Sequence, residues 1–234
     1  MVRQQRLGCE SNIYHVVARG VGRQIIFEDD TDRFKFLGYL REFGESGVIL
    51  HAWCLMDNHI HLLARGPIAT ISSSMGLLLG SYAQWFNLRH GRAGHLFQNR
   101  FDSECVESDA YFLTVVRYIH QNPLKAGLAT SCAYRWSSYA EYFGHAGICD
   151  TSFALGMLGG REGFKSFHEC LPDESCLDIR SGRSKTRGLS NEEALLTAQE
   201  IVGVDGLAAV AAFERSRRDG LLRRLVGGRG GALP

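Results

Sequence analysis

Residues 48–64 read VILHAWCLMDNHIHLLA, in which two apolar runs flank the short turn Met56-Asp57-Asn58. Runs of this length that are bounded by turn-forming residues are typical of two strands paired as a hairpin. Side chains alternate between the faces of a strand, so His59 and His61 are predicted to share one face and Ile60 to lie on the other. Two adjacent imidazoles on one face can chelate a divalent metal, although a packed or surface strand without metal is the commoner meaning of His-x-His.

Strand and helix patterns alternate through the rest of the first 145 residues. The sequence predicts strands or extended runs at 13–18, 96–101 and 103–106 and helices at 29–46, 67–88 and 109–121. The predicted apolar side of the first helix consists of Phe34, Leu37, Tyr39, Leu40 and Phe43, and that of the second consists of Met75, Leu78, Leu79, Tyr82 and Phe86. The third helix is predicted to end at Asn122-Pro123, because a residue before proline disfavours the α conformation.

Composition restricts the class of protein. The chain has 234 residues, of which 45% are hydrophobic, enough for a sizeable core. No apolar run approaches the roughly 20 residues of a membrane span, and the N-terminus lacks an apolar signal core. Seven cysteines without a Cys-x-x-Cys pair argue against a disulfide scaffold or a thiolate zinc site. We therefore expect reduced thiols and a cytoplasmic protein.

Charge is unevenly distributed along the chain. The formal net charge is +1, but residues 180–234 alone carry ten Lys/Arg and six Asp/Glu. DNA binding by the first part of the chain would therefore need a local basic patch. Two glycine-rich basic loops, 19–23 and 89–95, and the aromatic-basic run 96–101 could supply it, although solvated loops are the alternative. The candidate DNA-binding residues are Arg19, Arg23, Arg89, Arg92, His95, Gln98 and Arg100.

A second group of candidate residues lies in the helix predicted at 109–121. Tyr118 and Asn122 are four residues apart, so they share one helical face. A tyrosine phenol titrates near pH ~10 and is a poor nucleophile at neutral pH unless its target is activated. A metal at His59 and His61 could hold and polarise a phosphate for in-line attack by Tyr118, with Asn122 as a further oxygen ligand. The alternative is a half-buried structural tyrosine.

The ordered set of motifs resembles the single-tyrosine, His-hydrophobe-His transposases, and among them the branch associated with repetitive extragenic palindromes. The resemblance covers about 130 residues, from Tyr14 to Phe143. The motifs that carry it, in chain order, are Met56-Asp57-Asn58-His59-Ile60-His61, Gly94-His95-Leu96-Phe97-Gln98-Asn99-Arg100-Phe101, Tyr118-Ile119-His120-Gln121-Asn122-Pro123-Leu124-Lys125-Ala126-Gly127-Leu128 and Trp136-Ser137-Ser138-Tyr139.

This resemblance implies an α+β fold, a ferredoxin-like nuclease core with an antiparallel sheet flanked by helices. It implies cleavage and rejoining of single-stranded DNA beside a hairpin, with Mg²⁺ or Mn²⁺ and a covalent 5′-phosphotyrosine intermediate. Tyr118 would be the nucleophile, His59 and His61 metal ligands, and Asn122 the third ligand. Asp57 stands where the family more often has proline, and its side chain could rigidify the turn instead. His120 falls on a different helical face from Tyr118 and is left out of the site.

Two other functions use the same residues. The first is a domesticated, non-catalytic DNA-hairpin-binding protein, which would use the same DNA-binding features as the transposase without cleaving DNA. A metallohydrolase would need further His, Asp or Glu ligands, for which the sequence shows no second motif.

The predicted organisation has three parts. Residues 1–144 form the transposase domain. Residues 145–180 form a helical extension, with helices at 151–158 and 161–170. Residues 181–234 form a basic linker and a small helical tail, which is either a DNA-binding bundle or a solvated amphipathic one.

Overall fold

The sheet of the domain is built around the predicted hairpin. The computed structural model describes residues 8–169. Four antiparallel strands form one sheet in the order β2-β3-β1-β4. They are β1 (Ile13–Arg19), β2 (Ile49–Met56), β3 (His59–Arg65) and β4 (Asp102–Cys105). With helices between β1 and β2 and between β3 and β4, this is the split βαβ arrangement of a ferredoxin-like fold, which confirms the expected antiparallel sheet flanked by helices.

Helices cover both faces of the sheet. α1 (Asp30–Glu45) and α2 (Ile68–Arg89) pack on the face that carries Ile60 and Leu62. α3 (Asp109–Lys125) packs on the opposite face, which carries Leu63. The alternation predicted for β3 therefore places His59 and His61 on the face that α3 covers.

One residue of α1 does not lie on the side of the helix that was predicted for it. Its N-terminus is closed as expected by Asp29, whose carboxylate accepts a hydrogen bond from the backbone amide of Asp32. Phe36, Leu40 and Phe43 are buried, whereas Phe34 is 57% exposed. Assigning Phe34 to the core was wrong, because two residues turn a helix by about 200° and carry Phe34 to the other side from Phe36. On α2, by contrast, all five predicted core residues are buried.

The predicted end of α3 was also wrong. The helix continues through Pro123 to Lys125. It ends where Gly127 takes a left-handed conformation (φ +71°). There the amide of Gly127 donates to the carbonyl of Leu124, and the amide of Leu128 donates to that of Pro123. These are the two bonds of a Schellman cap, so the glycine ends the helix, and the proline is accommodated in its last turn.

The extension after residue 145 shares a core with α3. α4 (Ser152–Met157) and α5 (Arg161–Glu169) agree with the two predicted helices up to residue 169. Phe164 stacks on Tyr142 with 4.1 Å between ring centroids, and His168 Nε2 lies 3.0 Å from His120 Nδ1. His120 is thus a buried structural residue outside the site, as expected. The predicted linker and tail, 181–234, lie outside the described residues.

Two composition-based expectations can be compared with the described part of the chain. Its five cysteines are all free. Within residues 8–169, no helix is both long and apolar enough to cross a bilayer.

Candidate active site

The fold brings the two separate candidate groups together. β3 presents His59 and His61 with 4.9 Å between their ring centroids. α3 crosses this face so that Asn122 Nδ2 lies 3.2 Å from His61 Nε2. The Tyr118 ring stands 5.7 Å from that of His61. A tyrosine, two imidazoles and a carboxamide, separated by about 60 residues in sequence, therefore form one cluster.

Hydrogen bonding fixes which nitrogen of His59 is available. His59 Nδ1 lies 2.6 Å from Asn58 Oδ1, which can only accept a hydrogen bond. A neutral His59 ring therefore carries its proton on Nδ1 and leaves a lone pair on Nε2. Asn58 is itself held, because its side-chain amide donates to the carbonyl of Arg23 and its own carbonyl accepts from the amide of Gly20. The turn residue thus orients a candidate ligand.

Burial keeps His61 neutral. Its environment lowers the pKa of His61 well below the ordinary value, first through desolvation and then through the neighbouring His15 and His59. Desolvation likewise lowers the pKa of the buried His15 to about 4. Both rings are uncharged at neutral pH, which is the state in which imidazole can bind a metal.

Tyr118 lies in a tightly packed position. Its side chain is only 4% exposed. Its ring makes edge contacts with both His15 and His61, at 5.7 Å between centroids in each case. Lys125 Nζ stands 5.0 Å from the centre of the same ring. A positive charge therefore lies beside the phenol, where it would favour the developing phenolate or a nearby phosphate.

The donor set suits a divalent cation that also binds substrate. His59 and His61 each offer one Nε2 lone pair, and Asn122 offers a carboxamide that can turn to present its oxygen. Three protein ligands leave further coordination positions for phosphate oxygens and water. Among the described residues a group of Cys9, Cys105 and Glu107 also has ligand atoms within 4.8 Å of one another, but it is not part of this cluster.

Asp57 anchors the turn before the histidines through its side chain as well as its backbone, whose carbonyl accepts hydrogen bonds from the amides of Ile26 and Phe27. Its carboxylate accepts a 2.5 Å hydrogen bond from Arg33 Nη2 on α1. The guanidinium of Arg33 lies between the rings of Phe27 and Trp136, 5.6 Å from each centroid. An ion pair with a neighbouring helix thus holds the turn.

The candidate DNA-binding residues fall into two groups. Gln98 donates its backbone amide to the carbonyl of Arg19, so the 96–101 run lies beside β1 and near the histidines. Apart from Arg89, the exposed candidates are Arg23, Arg92, His95, Gln98 and Arg100, and Arg19 is half-buried. Arg89 differs from these, because its guanidinium forms ion pairs with Asp29 and Asp32. Those carboxylates raise the pKa of Arg89 and neutralise its charge within the fold.

A cavity of about 370 Å³ opens between α2 and the 94–101 segment. His95, Phe97 and Arg100 line one side, and Gly76 and Gly80 of α2 line the other. A Cβ added at either glycine would meet nothing within 4 Å, so the two glycines leave this wall of the cavity bare. The structure thus places two of the candidate DNA-binding residues, His95 and Arg100, on one concavity.

Three residues in this region were missed by the sequence analysis. They are Asn58, Lys125 and His15. Strand alternation along β1 already indicated that His15 and Val17 share a face, but only the β1–β3 register brings that face alongside His61.

We expect Asn58→Ala to weaken Mn²⁺ binding by about 10-fold. The change removes the acceptor that fixes His59, and partners of metal ligands typically contribute 10–100-fold in affinity. Isothermal titration of the full-length protein with Mn²⁺ measures the effect. Asn87→Ala is the matched control, since the Asn87 side chain bonds only the carbonyl of Gly94 among the contacts described. Equal affinities for the two variants would contradict the role of Asn58.

Comparison with known proteins places this domain in a class. Residues 9–122 match the family model described as "Transposase IS200 like", and the matched span contains His59, His61, Tyr118 and Asn122. This domain belongs to the IS200-like transposase family. Residues 9–122 are accordingly a transposase domain.

Solved structures give further similarities. One is described as the structure of a REP-associated tyrosine transposase bound to a REP hairpin. It is 16% identical, with a TM-score of 0.48, over 62% of this chain and 87% of that one. Another, a putative transposase from Deinococcus radiodurans, is 19% identical, with a TM-score of 0.33, over 51% of this chain and 97% of that one. No curated protein matches the chain.

Proposed function

We propose that the protein cleaves and rejoins single-stranded DNA beside a hairpin, through a covalent 5′-phosphotyrosine at Tyr118 and with a divalent metal, Mg²⁺ or Mn²⁺. The observation that carries this proposal is the position of Tyr118 and Asn122 against His61 across two separate elements. The hairpin component of the substrate follows from the motif resemblance.

The transfer step conserves bonds and requires no oxidant. The phenol oxygen of Tyr118 attacks the scissile phosphorus, and the bond from phosphorus to the 3′ oxygen breaks. The phenol loses a proton and the leaving oxygen gains one, so the products are a 5′-phosphotyrosine and a free 3′-hydroxyl. Attack by the 3′-hydroxyl of a second strand reverses the step and restores Tyr118.

Each residue of the cluster has a distinct role in this step. His59, His61 and Asn122 would hold the ion, which when bound neutralises phosphate oxygens and orients the phosphorus for in-line attack. Lys125 supplies a further positive charge beside the Tyr118 ring. Because Tyr118 is almost fully buried, its side chain must leave its packed position to reach the phosphate.

Six of the seven candidate DNA-binding residues are proposed to bind the DNA backbone on the β1 side of the cluster. They are Arg19, Arg23, Arg92, His95, Gln98 and Arg100. We leave Arg89 out of this surface, because its ion pairs with Asp29 and Asp32 hold α2 against the start of α1.

We expect Arg100→Ala to weaken binding of single-stranded DNA and to reduce its salt dependence. Loss of one phosphate contact should lower the slope of log K against log[salt] by about 0.7. Fluorescence anisotropy across a salt series measures both quantities. Arg41→Ala is the control, since Arg41 is an exposed arginine on α1 and is not a candidate DNA-binding residue. If the slope of log K against log[salt] in Arg100→Ala equals that of the wild type, Arg100 makes no phosphate contact.

A direct experiment tests the proposed function. Labelled single-stranded oligonucleotides carrying short hairpins are incubated with the full-length protein and Mn²⁺ or Mg²⁺, with and without chelator. A metal-dependent, denaturant-resistant protein–DNA adduct is expected. Stable but wholly non-covalent complexes across a hairpin library would instead indicate the hairpin-binding protein without chemistry.

A further inference from the structure

A third histidine, His15, lies directly behind His61. β1 carries it on the sheet face of His59 and His61, and its side chain is completely buried. His15 Nε2 lies 3.0 Å from His61 Nδ1, and the two rings stack with 5.2 Å between centroids. The opposite nitrogen of His61, Nε2, faces Asn122. His15 therefore acts on the metal-binding nitrogen of His61, Nε2, through the His61 ring and not by direct contact with that nitrogen.

The hydrogen bond between two neutral imidazoles has two possible directions with opposite consequences. If His15 donates from Nε2, His61 accepts at Nδ1 and must carry its own proton on Nε2, where it would block metal binding. If His61 donates from Nδ1, its Nε2 has a lone pair and His15 carries its proton on Nδ1. Only the second arrangement makes His61 a ligand.

The surroundings of both rings favour the second arrangement. On the outer side, Asn122 Nδ2 stands 3.2 Å from His61 Nε2, and it can donate to that nitrogen only when the nitrogen carries a lone pair. On the inner side, a proton on His15 Nδ1 needs an acceptor. Among the described residues, His15 Nδ1 and Glu104 Oε2 are both buried without a hydrogen-bond partner.

Glu104 is placed to provide that acceptor. It lies opposite His15 in the β1–β4 register, so the two side chains project from the same sheet face. Directly opposed residues have Cβ atoms about 4.5–5.5 Å apart, which is within reach of a glutamate–imidazole hydrogen bond after a change of rotamer. Two unpartnered buried atoms of complementary type on paired residues would satisfy each other.

We propose that His15, supported by Glu104, is a positioning residue that holds His61 in the Nδ1–H tautomer, so that its Nε2 presents a lone pair to the divalent ion. The proposal rests on the proposed function, because it assumes that His61 is a metal ligand. It adds two side chains to the site, both on strands that carry no other candidate metal ligand. The result is a chain of hydrogen bonds that runs from Glu104 to His15 and then to His61, which binds the cation.

The tautomer can be measured directly. Long-range ¹H–¹⁵N correlation spectra of the full-length protein, with ¹⁵N-labelled histidine, distinguish protonated from unprotonated ring nitrogens. We expect Nδ1–H for both His61 and His15 before metal is added. A proton on His61 Nε2 in the wild-type protein would overturn the proposal.

Substitutions test the consequence for binding. We expect His15→Leu to weaken Mn²⁺ binding by about 10–100-fold. We expect His15→Gln, whose carboxamide oxygen can still accept from His61 Nδ1–H, to recover most of the affinity. His168→Leu is the matched control, because it removes one imidazole of an equivalent 3.0 Å pair, that between His168 of α5 and His120 of α3. It should lose stability without losing Mn²⁺ affinity.

The outcomes separate this inference from the proposed function. Unchanged Mn²⁺ affinity in folded His15→Leu would overturn the role of His15 even if the wild type forms the DNA adduct. Loss of affinity in His15→Gln equal to that in His15→Leu would do the same, since the retained acceptor would then be irrelevant. Conversely, the wild-type protein could show the expected tautomer and bind Mn²⁺ but form no adduct on any hairpin. That result would support the positioning role of His15 and contradict the strand-transfer chemistry. If His15→Leu does not fold, the wild-type spectrum and His15→Gln still decide the question.

Discussion

Tyr118→Phe is expected to abolish the covalent protein–DNA adduct while leaving hairpin binding largely intact. The substitution removes only the phenol oxygen, which is the atom that would form the bond to phosphorus. The ring keeps its contacts with His15 and His61 in the buried position, so the fold should be retained. Denaturing gels of labelled hairpin oligonucleotides measure the adduct, and native gels with the same DNA measure binding.

Tyr111→Phe is the matched control for this result. Tyr111 lies seven residues earlier on α3 and packs against the same core, so the two variants perturb the helix similarly. Tyr111→Phe should form the adduct, and peptide mapping should locate the DNA on Tyr118. If Tyr118→Phe still forms the adduct and Tyr111→Phe does not, the nucleophile is Tyr111 and its assignment to Tyr118 is wrong.

His59→Ala is expected to reduce the rate of adduct formation at fixed, limiting Mn²⁺ by at least about 100-fold. It deletes one of three protein ligands, a larger loss than removing a residue that merely orients one, which typically costs 10–100-fold. His59 is half-buried at the end of β3, so its removal should disturb the core less than removal of the fully buried His61. Adduct yield over a Mn²⁺ titration measures the effect.

Partial recovery of adduct formation by His59→Ala at high Mn²⁺ would show that the variant has lost Mn²⁺ affinity and not its fold. His95→Ala serves as the control, because His95 is an exposed histidine on the proposed DNA surface and not a proposed ligand. It should shift DNA affinity and leave the Mn²⁺ requirement unchanged. If His59→Ala needs no more Mn²⁺ than wild type, the metal site does not include this residue.

Local patterns predicted most of the secondary structure. The alternation in 48–64 placed His59 and His61 on one face, and helical spacing placed Tyr118 and Asn122 on one face, because both relations depend only on the geometry of a single element. The two errors came from the same local rules. Phe34 was assigned to the apolar side of α1 but is exposed. Asn122-Pro123 was taken as the end of α3, which in fact ends at the cap formed by Gly127.

The sequence by itself determined the candidate residues and, through the ordered motifs, the family. The tertiary structure decided what surrounds them. The β1–β3 register set His15 behind His61, the β1–β4 register set Glu104 opposite His15, and the fold paired Arg89 with Asp29 and Asp32. The physical reason is that strand register and side-chain pairing depend on contacts between residues far apart in the chain, which no periodicity within one element encodes.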